Sequence, residues 1–115
     1  LRTYDYIREL VKNTSPDVIM IVGDVIYGET DDSGRVFKEF ISLMDSFKLP
    51  WGMCFGNHDN ESGKGVSWQT EQLEKSKYCM FAAGKVTGNS NYNILFERDG
   101  VPELNIFVLD TNGCT

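Results

Sequence analysis

The residues of this chain best suited to metal or acid–base chemistry gather in two short motifs, Gly23-Asp24 and Gly56-Asn57-His58-Asp59. Together they hold two carboxylates, an amide and the only histidine in the chain. Oxygen and nitrogen donors of this kind suit iron, manganese or zinc. The imidazole adds a group that exchanges a proton near neutral pH. Each motif directly follows an apolar run, Val18 to Val22 before the first and Trp51 to Phe55 before the second. The glycine at each junction lets the backbone turn sharply. In open α/β sheets, ligands bind beyond the carboxyl ends of the strands. Two strands ending in this way would form two lips of one site.

That arrangement requires the two runs to be neighbouring strands. The first run has no polar alternation, which predicts a central strand covered on both faces. Between the runs, Val36, Phe37, Phe40, Ile41, Leu43, Met44 and Phe47 make a wide apolar stripe, predicting a helix over Arg35 to Phe47. Asp32 or Ser33 is placed to cap it. Strand, helix and strand then form a crossover unit, which makes the strands parallel and right-handed. Asp24 and Asn57 would stand at the same sheet edge. An earlier helix, Leu1 to Asn13, turns Tyr4, Ile7, Leu10 and Val11 to one side and is broken by Ser15-Pro16-Asp17. A later helix runs from a cap at Ser67 through about Lys75, with Leu73 turned inward. Tyr78 to Gly88 reads as irregular. Asn91 to Glu97 and Leu104 to Leu109 read as an antiparallel hairpin around Arg98-Asp99-Gly100. The fold class is therefore α/β, with largely parallel central strands, flanking helices and a C-terminal hairpin.

Composition narrows the function. The 115 residues suffice for one small core. A net charge of −6 argues against a broad nucleic-acid surface and against an anionic-membrane surface. No apolar run reaches membrane-span length. Cys54, Cys79 and Cys114 are odd in number and lack the spacing of a zinc knuckle, and Cys54 reads as a small core residue. Glu29, Asp31 and Asp32 fail the spacing of a calcium-binding EF-hand and read as a solvated loop. Neither strand is followed by a glycine-rich phosphate loop, which counts against a flavodoxin-like domain. The chain starts at Leu1 inside a helical pattern and stops at Thr115 just after an apolar run. Both ends read as cuts through a longer polypeptide.

Gly23-Asp24-Val25-Ile26-Tyr27 and Gly56-Asn57-His58-Asp59 resemble the second and third signature blocks of the calcineurin-like metallophosphoesterases, nearest to the purple-acid-phosphatase-like branch. The resemblance spans most of the chain. It implies that residues 1–115 are part of a single domain truncated at both ends, contributing to a β-sandwich with helices outside. The implied activity is metal-dependent hydrolysis of a phosphoester, with a phosphorylated small molecule or phosphoprotein as substrate. The implied cofactors are two divalent or mixed-valence ions of iron, manganese or zinc. Asp24 would bridge them, and the side-chain oxygen of Asn57 would bind one. His58 would stabilise the phosphate or protonate the leaving group, and Asp59 would hold the imidazole. Tyr27 matches a position where the purple branch places a ferric ligand; a packed aromatic is the alternative.

The resemblance is incomplete. An opening Asp-x-His block, a later histidine block and a closing Gly-His-x-His block are all missing from these residues. A half-built site implies that the longer polypeptide is the enzyme and that this chain alone is inactive. A non-catalytic binding module of the same fold is the rival from another class. Taken singly, Asp24 also fits a turn cap, Asn57 a left-handed turn residue, and His58 an ordinary satisfied histidine.

Overall fold

The strands that must carry the two motifs lie side by side, in parallel, as the crossover pattern predicts. The computed structural model describes residues 2–28 and 32–111. Glu29, Asp31 and Cys114 lie outside those residues. In chain order the elements are α1 (Arg2–Thr14), β1 (Ile19–Ile21), α2 (Arg35–Ser46), β2 (Trp51–Met53), a 3-10 turn (Asp59–Glu61), α3 (Gly65–Lys75), β3 (Tyr92–Arg98) and β4 (Val101–Val108).

β1 and β2 pair with Ile19 opposite Trp51 and Ile21 opposite Met53. The same register brings Asp24 level with Gly56. Both strands are shorter than their apolar runs. Gly23 and Asp24 take left-handed φ values of 97° and 54°, so the chain turns away soon after Ile21. Cys54 still donates its N–H to the Ile21 carbonyl at 3.1 Å. The expectation that the first strand is covered on both faces is not met. β2 is buried throughout, but β1 is only half-buried and Val22 is 86% exposed. Among the described residues β1 has β2 as its single strand neighbour, so its other edge is unpaired.

α2 buries the stripe its spacing dictates, with Phe37, Phe40, Ile41, Leu43 and Met44 turned inward. Phe37, Phe40 and Met44 meet Trp51, Met53, Phe55, Leu73 and Phe81 in one core. Each such side chain contributes roughly 1.5–3 kcal/mol when fully buried. Asp32 satisfies the helix start, accepting from Gly34 N at 3.1 Å and Val36 N at 2.7 Å. The last turn closes through Lys48 N on the Asp45 carbonyl at 3.1 Å, with Lys48 itself left-handed. α3 starts at Gly65 rather than at a Ser67 cap. Ser62 takes the capping role instead, since its Oγ accepts from Gly65 N at 3.2 Å. α1 is more exposed than its pattern suggests: it has no buried residue, and Leu10 is 62% exposed. No helix among the described residues is long and apolar enough to cross a membrane.

The hairpin forms as expected, with Ile94 opposite Ile106 and a bulge between Phe96 and Glu97. Asp99 and Gly100 both have positive φ, at 51° and 79°, which is the two-residue turn that matches strand twist. β4 begins earlier than its apolar run because this tight turn lets pairing start at Val101. The hairpin is tied to the end of β2. The Tyr92 hydroxyl donates to the Met53 carbonyl at 2.7 Å and accepts from Met53 N at 3.0 Å. Burial pushes the Tyr92 hydroxyl up to about 12, so it stays a donor at any ordinary pH. Ser90 Oγ accepts from Phe55 N at 3.3 Å.

Candidate active site

The two motifs meet at the carboxyl end of the parallel pair, and a single buried side chain joins them. Asp59 has no exposed surface. Its Oδ2 accepts from Asp24 N at 2.8 Å and from Gly56 N at 2.7 Å. Its Oδ1 accepts from Val25 N at 2.9 Å and from Ile26 N at 3.1 Å. Four backbone amides thus surround one carboxylate, an anion nest that balances the cost of burying it. Gln69, also buried, donates from Nε2 to the Asp59 carbonyl at 2.6 Å and to Ser62 Oγ at 3.1 Å, which fixes the turn from behind.

The glycines permit this contact. A methyl group on Gly23 would sit 2.6 Å from Gly56 N. One on Gly56 would overlap Asp24 Oδ1. The two turns therefore pack backbone against backbone, and Asp24 lies in the gap. Its Oδ1 accepts from His58 N at 2.9 Å. Asp24, rather than Asn57, is the non-glycine residue of the two motifs with a left-handed backbone. Asn57 is exposed between Gly56 and His58. The structure thus gathers Asp24, Gly56, His58 and Asp59 around one junction, with Asn57 on its outer side.

The expectation that Asp59 holds the imidazole is not met, because both its oxygens are taken by amides. The partner of His58 is Glu61, whose Oε1 lies 2.8 Å from Nδ1. That hydrogen bond to Glu61 raises the His58 pKa above its ordinary value. The charges of Glu61, Asp24 and Asp59 add to the rise, and desolvation opposes it. Tyr27 is 56% exposed and packs edge-on against the imidazole, with ring centroids 5.2 Å apart. Cys54 is half-buried, and burial pushes its thiol up, as befits a packing residue. A cavity of about 390 Å³ lies behind the Asp24 turn, lined by Thr3, Tyr4 and Ile7 of α1 together with Ile21, Val36 and Phe40.

Sequence reasoning missed Glu61 and Gln69. Glu61 carried a usable signal, because a helical turn brings residues i and i+3 together. Gln69 carried none, since its target is a main-chain carbonyl.

Donors of the right kind for a hard or borderline cation lie in and around the junction: the Asp24 carboxylate within it, and the exposed Asn57 amide and the His58 imidazole beside it. They do not complete a site. Among the described residues, no three His, Cys, Asp or Glu side chains converge as a set able to hold a metal ion.

An acid, an amide and a histidine thus stand just beyond the ends of the two parallel strands. The chain belongs to the calcineurin-like phosphoesterase family, whose pattern matches residues 2–113. Members of this family generally work with divalent metal ions. The chain is 28% identical over 115 residues to an uncharacterized protein of Schizosaccharomyces pombe, covering 99% of this chain and 22% of that protein. It is 26% identical over 123 residues to phosphatase DCR2 of Saccharomyces cerevisiae, covering 96% of this chain and 21% of that protein. Over 63 residues it is 35% identical to probable inactive purple acid phosphatase 28 of Arabidopsis thaliana, covering 54% of this chain and 16% of that protein. The chain therefore spans only about a fifth of the length of these relatives. No solved structure matches it.

Proposed function

We propose that a longer polypeptide carrying this chain is a metal-dependent phosphoester hydrolase, with residues 1–115 forming part of its catalytic domain. The observation that carries this reading is the lodging of Asp24 against Gly56 and His58, which brings both motifs to one sheet edge. In this reading Asp24 and Asn57 supply oxygen ligands to a pair of iron, manganese or zinc ions, and the remaining ligands come from outside this chain. When bound, such ions supply positive charge against a phosphate and a more acidic water. His58 faces the substrate phosphate and donates a proton to the leaving oxygen. Its raised pKa keeps the imidazole charged further toward neutral pH. Phosphorylated small molecules and phosphoproteins are the substrate classes that fit.

The second reading is a non-catalytic member of the same fold. It is favoured by the name of the Arabidopsis relative. Hydrolysis of an aryl phosphate with added manganese separates the two. The longer polypeptide should turn over substrate, should lose activity by at least an order of magnitude on Asp24→Ala or His58→Ala, and should lose it to a chelator. The chain of 115 residues should be inactive by itself. An inert longer polypeptide would favour the binding module, and equal activity of the two would refute the half-site argument.

A further inference from the structure

We propose that Glu61 is the positioning residue for His58, fixing the plane of its ring and its tautomer while docking the Tyr27 loop beside it. The inference rests on the hydrolase reading for its consequence in turnover, but its geometry stands apart from any metal.

The carboxylate of Glu61 makes two contacts. Oε1 meets His58 Nδ1 at 2.8 Å, and Oε2 accepts from Gly28 N at 3.3 Å. An ionised carboxylate only accepts hydrogen bonds, so Nδ1 must carry the proton. The neutral ring is then held as the Nδ1–H tautomer, and Nε2 is the atom left for chemistry. Fixing one ring nitrogen to set the role of the other is how histidines are commonly oriented. Neither nearby aspartate bonds to the ring. Asp59 is saturated by four amides, and Asp24 Oδ1 accepts from the His58 main chain, not its ring.

The second contact couples His58 to the other motif. Gly28 ends the described part of the loop that carries Tyr27, and a Cβ there would overlap the Cβ of Glu61. Glycine at this position lets the loop backbone reach the carboxylate. Tyr27 then packs edge-on against the imidazole at an interplanar angle of 67°, closing the ring in from a second side. Glu61 thus ties ring, loop and 3-10 turn into one unit. Its side chain is 44% exposed, so removing it leaves the core intact.

The test reads the ring nitrogens of His58 in the longer polypeptide by nitrogen-15 NMR, assigned by the signals that vanish in His58→Ala. At alkaline pH, with neither metal nor substrate, the wild type should show mainly the Nδ1–H form at His58. Glu61→Ala should shift the ring to mainly Nε2–H. Glu61→Gln, whose amide oxygen still accepts, should retain much of the wild-type preference. Unchanged resonances from Tyr92–Val108 would show that the variants are folded. In the longer polypeptide, Glu61→Ala should lower kcat on an aryl phosphate by about 10–100-fold, with KM nearly unchanged and Gln restoring part of the loss. An Nδ1–H form that persists in Glu61→Ala overturns the positioning role. A shifted tautomer with unchanged kcat overturns its importance for turnover. A wild type without activity sinks the hydrolase reading instead, whatever the tautomer shows.

Discussion

Two aspartates hold the two ends of β2, and they do so in different ways. Asp45, near the end of α2, gathers the start of the strand. Its Oδ1 accepts from Trp51 Nε1 at 2.9 Å, Ser76 Oγ at 2.6 Å and Tyr78 N at 3.4 Å, while Oδ2 accepts from Lys77 N at 3.2 Å. Asp59 gathers the far end, using main-chain amides alone. Asp45 is half-buried, so water can replace a lost partner; Asp59 has no exposed surface. The same side chain is therefore a stepwise clamp at one end and an all-or-none clamp at the other. The all-or-none clamp sits where the chemistry is proposed. There the relative position of two turns matters more than tolerance to change.

The largest expected effect breaks the stronger clamp. Asp59→Asn replaces a four-fold acceptor by one oxygen and an NH2 group that faces amide donors. Leaving buried polar groups unsatisfied and removing a buried charge from its partners should cost about 3–5 kcal/mol. Urea unfolding should show a lower midpoint with an unchanged slope. A loss under about 1 kcal/mol would mean that the turns are held by something other than this carboxylate.

The contrast also explains what the sequence could and could not reveal. Short apolar runs ending in glycine, with an amphipathic helix between them, sufficed for the parallel pair and for the meeting of Asp24 with the second motif. The hairpin was legible from the alternation of Tyr92, Ile94 and Phe96 and from the Asp99-Gly100 turn. Strand ends were not legible, because Gly23 and Asp24 leave the β region for reasons that lie across the sheet at Gly56. The job of Asp59 was hidden for a related reason. Its partners are main-chain amides of residues 24–26 and 56, and a main-chain amide has no signature in a residue list. Glu61 was readable by helical spacing, but only once a turn at residues 59–61 is granted.

The next effect in size sharpens the comparison through pH. Burial works against the charged form of Asp45, but the donors from Ser76, Trp51, Lys77 and Tyr78 outweigh it, so its pKa lies below the ordinary aspartate value. A carboxylate whose folded pKa is depressed stabilises the fold fully above its unfolded value and loses that contribution as pH falls through the folded value. Asp45→Asn should cost about 1–3 kcal/mol at neutral pH. The gap between wild type and variant should then narrow as pH drops below about 4. Stability curves from pH 7 to pH 2 check this, and a gap that stays constant with pH would deny Asp45 a charge-dependent role.

The smallest effect asks whether the weaker clamp comes apart in steps. Ser76 is one of two side-chain donors to Asp45, and it also accepts from Cys79 N at 3.1 Å. Ser76→Ala leaves the carboxylate with Trp51, Lys77 and Tyr78, so the loss should be about 0.5–1.5 kcal/mol. In an Asp45→Asn background the same change should cost less, because part of what Ser76 contributes is a bond to a charge. A double-mutant cycle measures the difference directly. Additive losses would show that Ser76 acts through Cys79 alone. Coupling would show that the start of β2 is held by separable bonds. At Asp59 no side-chain truncation can make an equivalent cut, because every donor belongs to the main chain.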